Sequence, residues 1–209
     1  MLTAKVIGYD GHNLVVVPTE PIDREMLRKQ VGNIEIRLND GRTISADQRK
    51  KIFAIIRDIG IWNGDDPEYL RQFLTWDFAS DWNGNMFSLS DVDMTTARYF
   101  LNYLIGFCFK HNVPTKRPLI EHTEDMGRYL YYCLEHRKCA ICNKPADVHH
   151  VDRVGAGFNR HKINHVGKRA IALCREHHRM VDKSEKELFD KYKIYGIKLD
   201  EYLVKVLKL

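Results

Sequence analysis

No stretch of this chain is long and apolar enough to read as a membrane span. The greasiest run, "YFLNYLIGFCF" at 99–109, is broken by Asn102 and falls short of the roughly 18 to 20 residues such a helix needs. The opening "MLTAKVIGYDGHN" lacks the basic segment followed by an apolar one that marks an export signal. Neither a membrane partner nor export is expected, and the chain reads as cytoplasmic. Cysteines are few and odd in number, five in 209 residues, which excludes a fully paired disulfide framework and points to a reducing compartment. Internal repeats and low-complexity runs are also missing, so neither a solenoid nor a disordered tail is indicated. Charge of one sign is not in large excess: 33 Lys+Arg stand against 28 Asp+Glu, net +5.

What is present is an apolar fraction of 44%, ample for a packed core in one large domain or two small ones. The modest positive charge is unevenly placed. Residues 133–209 carry 17 Lys+Arg against 10 Asp+Glu, net +7, whereas residues 1–132 are net −2. A polyanion is therefore expected at the C-terminal end.

The first forty residues read as short strands, "TAKVIGYD", "NLVVVP" and "NIEIRLND", with a short helix around "DREMLRKQ" between the second and third. Helices follow. Ser45 and Gln48 form a capping box opening "ADQRKKIFAIIRDIG", whose apolar stripe is Ile52, Phe53, Ile55, Ile56 and Ile59. A second helix is expected at "PEYLRQFLTWDFASDW". A third starts near Asp93, with Ala97, Phe100, Leu101, Leu104, Ile105 and Cys108 at helical spacing. "VPTKRP" at 113–118, with two prolines, is the expected boundary between a domain at 1–118 and one at 119–209. A helix around "EDMGRYLYYCLEHRK" follows, and a second capping box, Ser184 with Glu187, precedes a tail read as two short helices. Cys108 and Cys133 lie in apolar helical patterns and read as core thiols.

The stretch "CREHHRMVD" at 174–182 carries the chemistry. Read as a helix, it groups Cys174, His177 and His178 at i, i+3 and i+4, and pairs His178 with Asp182 at i, i+4. Cys139-x-x-Cys142 puts two thiolates on one tight turn, so Cys174 and His177 can complete a Cys3His set for a structural Zn2+. "DVHHVD" at 147–152 alternates as a strand and sends His149 and His150 to opposite sides. One histidine can then bind a metal while its neighbour approaches the same phosphate from another direction, as in-line phosphodiester hydrolysis requires. Between these segments, "RVGAGFNRHKINHVGKR" at 153–169 has five Lys/Arg, no acids and three glycines, and is expected to meet phosphates through Arg153, Arg160, Lys162, Lys168 and Arg169.

In order, "CAIC", "VHHVD" and "ALCREHH" resemble the HNH endonuclease family over roughly residues 137–183. The resemblance implies a strand, loop, strand and helix around one metal, stapled by a C-x-x-C zinc. It makes His149 a metal ligand, His150 the general base and His178 a second metal ligand. The family's further helical histidine is here Asp182, a harder ligand that favours Mg2+ or Mn2+. The family's middle asparagine falls on Arg169, with Asn164 and His165 as other candidates for its place.

The N-terminal half has no catalytic constellation. "IEIRLNDGRTISADQRKKIFAIIRDI" and "FSLSDVDMTTARYFLNYLIGFCFKHNVP" resemble the phage Orf/NinB recombination-mediator family, over about residues 33–118. That resemblance implies a homodimer, binding of single-stranded DNA, a single-strand-binding or annealing protein as partner, and the host bacterial cytoplasm if the chain is phage-encoded. Arg37, Arg42, Lys50, Lys51 and Arg57, with Trp62, Trp76 and Trp82, are candidates for gripping single strands, though tryptophans more often serve as core. The expectation is an α+β protein: a mixed strand and helix N-terminal domain followed by a zinc-stapled HNH ββα-metal domain that hydrolyses DNA phosphodiesters. The alternative is a non-catalytic single-stranded-DNA-binding mediator whose C-terminal zinc module only grips DNA.

Overall fold

A computed structural model describes residues 4–18, 21, 41–82, 86–152 and 164–209. The strand expected at "NIEIRLND", the helix expected around "DREMLRKQ" and Arg37 lie outside the described residues. The chain forms two compact units, Met1–Asp40 and Gly41–Leu209.

In the first unit, β1 (Ala4–Tyr9) pairs antiparallel with β2 (Leu14–Pro18), with a register shift between Val6 and Gly8. The Asp10 carboxylate closes the hairpin by accepting the backbone N–H groups of His12 and Asn13 at 3.0 and 2.7 Å. This short polar side chain satisfies turn donors that have no ladder partner.

The second unit begins with α1 (Ala46–Asn63). Its capping box is formed: Ser45 Oγ accepts from Gln48 N, and Gln48 Oε1 accepts from Ser45 N, both at 3.0 Å. Gly64, at φ 82°, ends the helix in the left-handed region. Ile52, Ile55, Ile56 and Ile59 are fully buried, but Phe53 is exposed. At 100° per residue Phe53 falls off the stripe that the four isoleucines make.

Helix α2 (Pro67–Trp82) and helix α3 (Met94–His111) pack against α1. The Asp93 carboxylate caps α3 by accepting from Thr96 N at 2.9 Å. A 3₁₀ turn (Leu119–Glu121) leads to α4 (Met126–Glu135), followed by β3 (Asp147–His150), β4 (Arg169–Leu173), α5 (Arg175–Tyr192), β5 (Ile197–Lys198) and α6 (Glu201–Leu207). The three strands make an antiparallel sheet in the order β3-β4-β5. The architecture is α+β with small sheets. The tail holds the two short helices expected: α5 breaks at Ser184 and restarts as a short helix ending at Tyr192, and α6 is the second, with β5 between them.

One apolar core runs from Ile44 to Leu207 through every helix of this unit and through β4, four of whose five residues are buried. The 113–118 segment, expected as a boundary, runs inside this unit, and the division between compact units falls at Asp40 and Gly41. Its prolines mark a loop, but the apolar faces of α3 and α4 on either side of it bury against each other. Cys108 and Cys133 are core thiols, and burial pushes Cys108 up to about 12 and Cys133 higher still. Trp82 packs on Phe78 and Tyr99, whereas Trp76 is exposed and tilted against Phe73. No helix among the described residues is long and apolar enough to cross a membrane.

Candidate metal centre and histidine site

The Cys139–Cys142 turn is built by local geometry. Asn143 N donates to Cys139 O at 2.9 Å, Cys139 N donates to Lys144 O at 2.7 Å, and Asn143 adopts φ 57° to close the knuckle. The Asn143 side chain then anchors the knuckle to the core, accepting from Leu119 N at 2.7 Å and donating to the Tyr129 hydroxyl at 2.9 Å. Ala140 N donates to Ala172 O at 2.9 Å, so the knuckle is also fastened to β4.

From this same end of β4 the chain turns into α5, and here the expectation of a helix starting at Cys174 is corrected. Cys174 is the N-cap, at φ −69° and ψ 164°, and the helix begins at Arg175. Burial opposes ionisation of its thiol, but the backbone N–H groups of His177 and Glu176, together with the neighbouring thiols, hold it below its ordinary value. A helix N-terminus presents unpaired N–H donors, which favour a thiolate.

Cys139, Cys142, Cys174 and His177 converge, each offering one ligand atom within 4.8 Å of the others. His177 Nδ1 lies 3.4, 3.6 and 3.2 Å from the sulfurs of Cys139, Cys142 and Cys174, and the sulfurs of Cys142 and Cys174 are 3.7 Å apart. A tetrahedral ion with bonds of about 2.0 to 2.3 Å separates its ligands by roughly 3.3 to 3.8 Å. The spacing and the donor chemistry both fit zinc, and among the described residues this is the one Cys/His/acid cluster able to hold an ion by that measure.

The second constellation uses the other face of α5. Within β3, His149 and His150 pair with Ile171 and Ala170 of β4 and reach different partners. His149 Nδ1 faces His178 Nε2 at 3.2 Å with the rings nearly perpendicular. Two nitrogens bound to one divalent ion at about 2.0 to 2.2 Å stand roughly 2.9 to 3.5 Å apart, so this pair also fits shared coordination. Asp182 Oδ2 lies 3.8 Å from His178 Nδ1, the nitrogen turned away from His149. Glu185, which sequence reasoning missed, sits 3.1 Å from His149 Nε2. Its only sequence signal was its place after Ser184, where the helix breaks.

His150 Nε2 faces His165 Nδ1 at 3.0 Å. Burial, then the nearby His165 and Lys168, hold the His150 imidazole below its ordinary value, leaving it neutral at pH 7 with a lone pair available. Arg169 makes a two-pronged contact with Asp152 (Nε–Oδ1 3.0 Å, Nη2–Oδ1 2.7 Å), and its backbone N donates to Asp152 Oδ2 at 2.7 Å. That carboxylate, which the guanidinium holds below its usual range, engages the charge expected for phosphate. Arg153, Arg160 and Lys162 lie outside the described residues; Lys168 is described and adjoins β4.

Close packing fixes this strand. A Cβ on Gly196 would stand 2.6 Å from Val151 Cγ2 and 3.2 Å from Arg169 Cβ. Valine cannot swing a branched methyl aside without leaving its rotamer. Gly196→Ala should therefore cost about 1 to 3 kcal/mol in denaturant unfolding by overpacking. An unchanged midpoint would mean that β3 yields freely beside the histidines.

Comparison with known proteins bears on the same segments. A family model described as "Putative HNHc nuclease" matches residues 16–209. No curated protein and no solved structure matches. The match extends through the helices of the 41–118 region as well as the histidine segments, in keeping with their shared core.

Proposed function

The chain belongs to this HNH nuclease family, and from that premise we propose that it hydrolyses DNA phosphodiester bonds with a divalent metal held by His149 and His178. The observation that carries the reading is the divergence of adjacent histidines. His149 joins His178 in a pair spaced for one ion, while His150 turns to a separate neighbour and stays neutral.

When bound there, Mg2+ or Mn2+ would supply positive charge to the phosphate and to the departing oxygen. The chain's own residues do the rest. His150 takes the proton of the attacking water, and His165 limits rotation of its ring. Lys168 and the basic residues of the preceding loop bind flanking phosphates, and Asp182, expected as a metal ligand, stands instead by the outer nitrogen of His178 and steadies that ring. Zinc at Cys139, Cys142, Cys174 and His177 is structural and fastens α5 to the knuckle.

A role in phage recombination, with single-stranded DNA, an annealing or single-strand-binding protein and a second copy of the chain as partners, rests on the resemblance of residues 33–118 to the mediators. The decisive experiment is nicking of supercoiled plasmid by pure protein in Mg2+, Mn2+ or Ni2+, with and without EDTA. Metal-dependent nicking is expected. Tight DNA binding with no cleavage in any of the three ions would replace the nuclease by the binding-only alternative.

A further inference from the structure

We infer that Glu185 is a positioning residue of the metal site, acting through His149 rather than as a ligand, and this inference rests on the nuclease reading above. An imidazole has two nitrogens on opposite edges of the ring. In His149 one edge, Nδ1, faces His178 at 3.2 Å, and the other, Nε2, faces the Glu185 carboxylate at 3.1 Å. A carboxylate only accepts hydrogen bonds, so Nε2 must carry the hydrogen. The Nδ1 lone pair is then left pointing at His178, where a metal needs it. Outer carboxylates of this kind fix both the tautomer and the direction of a ligating histidine, and raise its basicity.

The placement of Glu185 depends on an irregularity in α5. Ser184 has φ −160° and ψ 94°, far from helical values, and its hydroxyl accepts from Glu187 N at 3.4 Å, so the helix stops and restarts there. On an unbroken helix, residues 178 and 185 would stand roughly 10 Å apart along the axis. Across the break their side chains reach opposite edges of a single imidazole. His149 is largely shielded, with its side chain 13% exposed, and Glu185 is 39% exposed, so the contact is partly withdrawn from competing water. Asp182 attends the outer nitrogen of His178 in the same sense, but at 3.8 Å and 66% exposure its hold is looser.

The test uses the full chain and three forms: wild type, Glu185→Gln and Glu185→Ala. Long-range 1H–15N correlation of the imidazole nitrogens in protein free of added divalent ion should show His149 protonated at Nε2 in wild type. Glu185→Ala should lose that preference, and Mn2+ affinity, read by the free-ion electron paramagnetic resonance signal, should weaken by roughly 10- to 100-fold. Glu185→Gln keeps an acceptor oxygen and should recover most of both. Structural zinc content should stay the same in all three. An unchanged tautomer and Mn2+ affinity in Glu185→Ala overturns the inference. So does a loss in Glu185→Gln as large as in Glu185→Ala, since that would mark the negative charge, and not the hydrogen bond accepted from Nε2, as what the site requires. Absence of nicking by wild type overturns the nuclease reading instead, and the tautomer measurement still decides the role of Glu185.

Discussion

Cys139→Ser is expected to yield protein without structural zinc that fails to hold the 41–209 unit together. Cys139 is fully buried in the common core and supplies one corner of a four-ligand cluster whose ligand atoms all lie within 4.8 Å of one another, with His177 Nδ1 at 3.2 to 3.6 Å from the three sulfurs. Gathering three thiols and an imidazole in one buried place has no energetic return without an ion between them. In small zinc modules, binding of the ion contributes about 10 to 16 kcal/mol to folding. Whole domains are stable by only about 5 to 15 kcal/mol, so losing even a fraction of that contribution is decisive. The knuckle is joined to Leu119 and Tyr129 through Asn143, and to β4 through Ala140. The loss should therefore spread beyond the C-terminal segment and abolish a single cooperative transition. Elemental analysis and thermal unfolding give the readout. Well-folded wild-type protein containing no zinc, or a Cys139→Ser variant with an unchanged transition, would refute the structural-zinc assignment.

His150→Ala should lower the cleavage rate by roughly 100-fold or more, the scale for losing a general base, while leaving DNA affinity nearly constant. The side chain is half-buried at the end of β3, pairs with His165, and carries no charge at neutral pH. Its removal takes away a proton acceptor and no phosphate-binding cation. Plasmid nicking measures the first effect, and binding to the same DNA without added divalent ion measures the second. Equal losses in both would recast His150 as part of the DNA surface. Retained cleavage would move the base to another group, and His165, 3.0 Å away, would be examined first.

Sequence by itself determined what neighbouring residues can settle. The stripe of Ile52, Ile55, Ile56 and Ile59 buries one face of α1, and the Ser45–Gln48 box starts that helix, because both depend on contacts within a turn or two. The grouping of Cys139 and Cys142, and of Cys174 and His177, follows from ligand spacings that a single knuckle or a single turn must satisfy. Strand alternation likewise separates His149 from His150 without reference to the rest of the molecule.

Tertiary structure alone decided which distant group each of these meets. Cys174 caps α5 instead of lying in it, because the chain leaves β4 extended. Arg169, an obvious phosphate ligand by charge, is engaged by Asp152 across the β3–β4 pair. His165 comes to His150 from a loop, and Glu185 comes to His149 across a helix break. Such meetings depend on where loops close and helices bend, and these are set by burial of the whole apolar core. Residue spacing records periodicity along the chain, whereas the partner of a charged or titratable side chain is chosen by the packing that brings separate segments together.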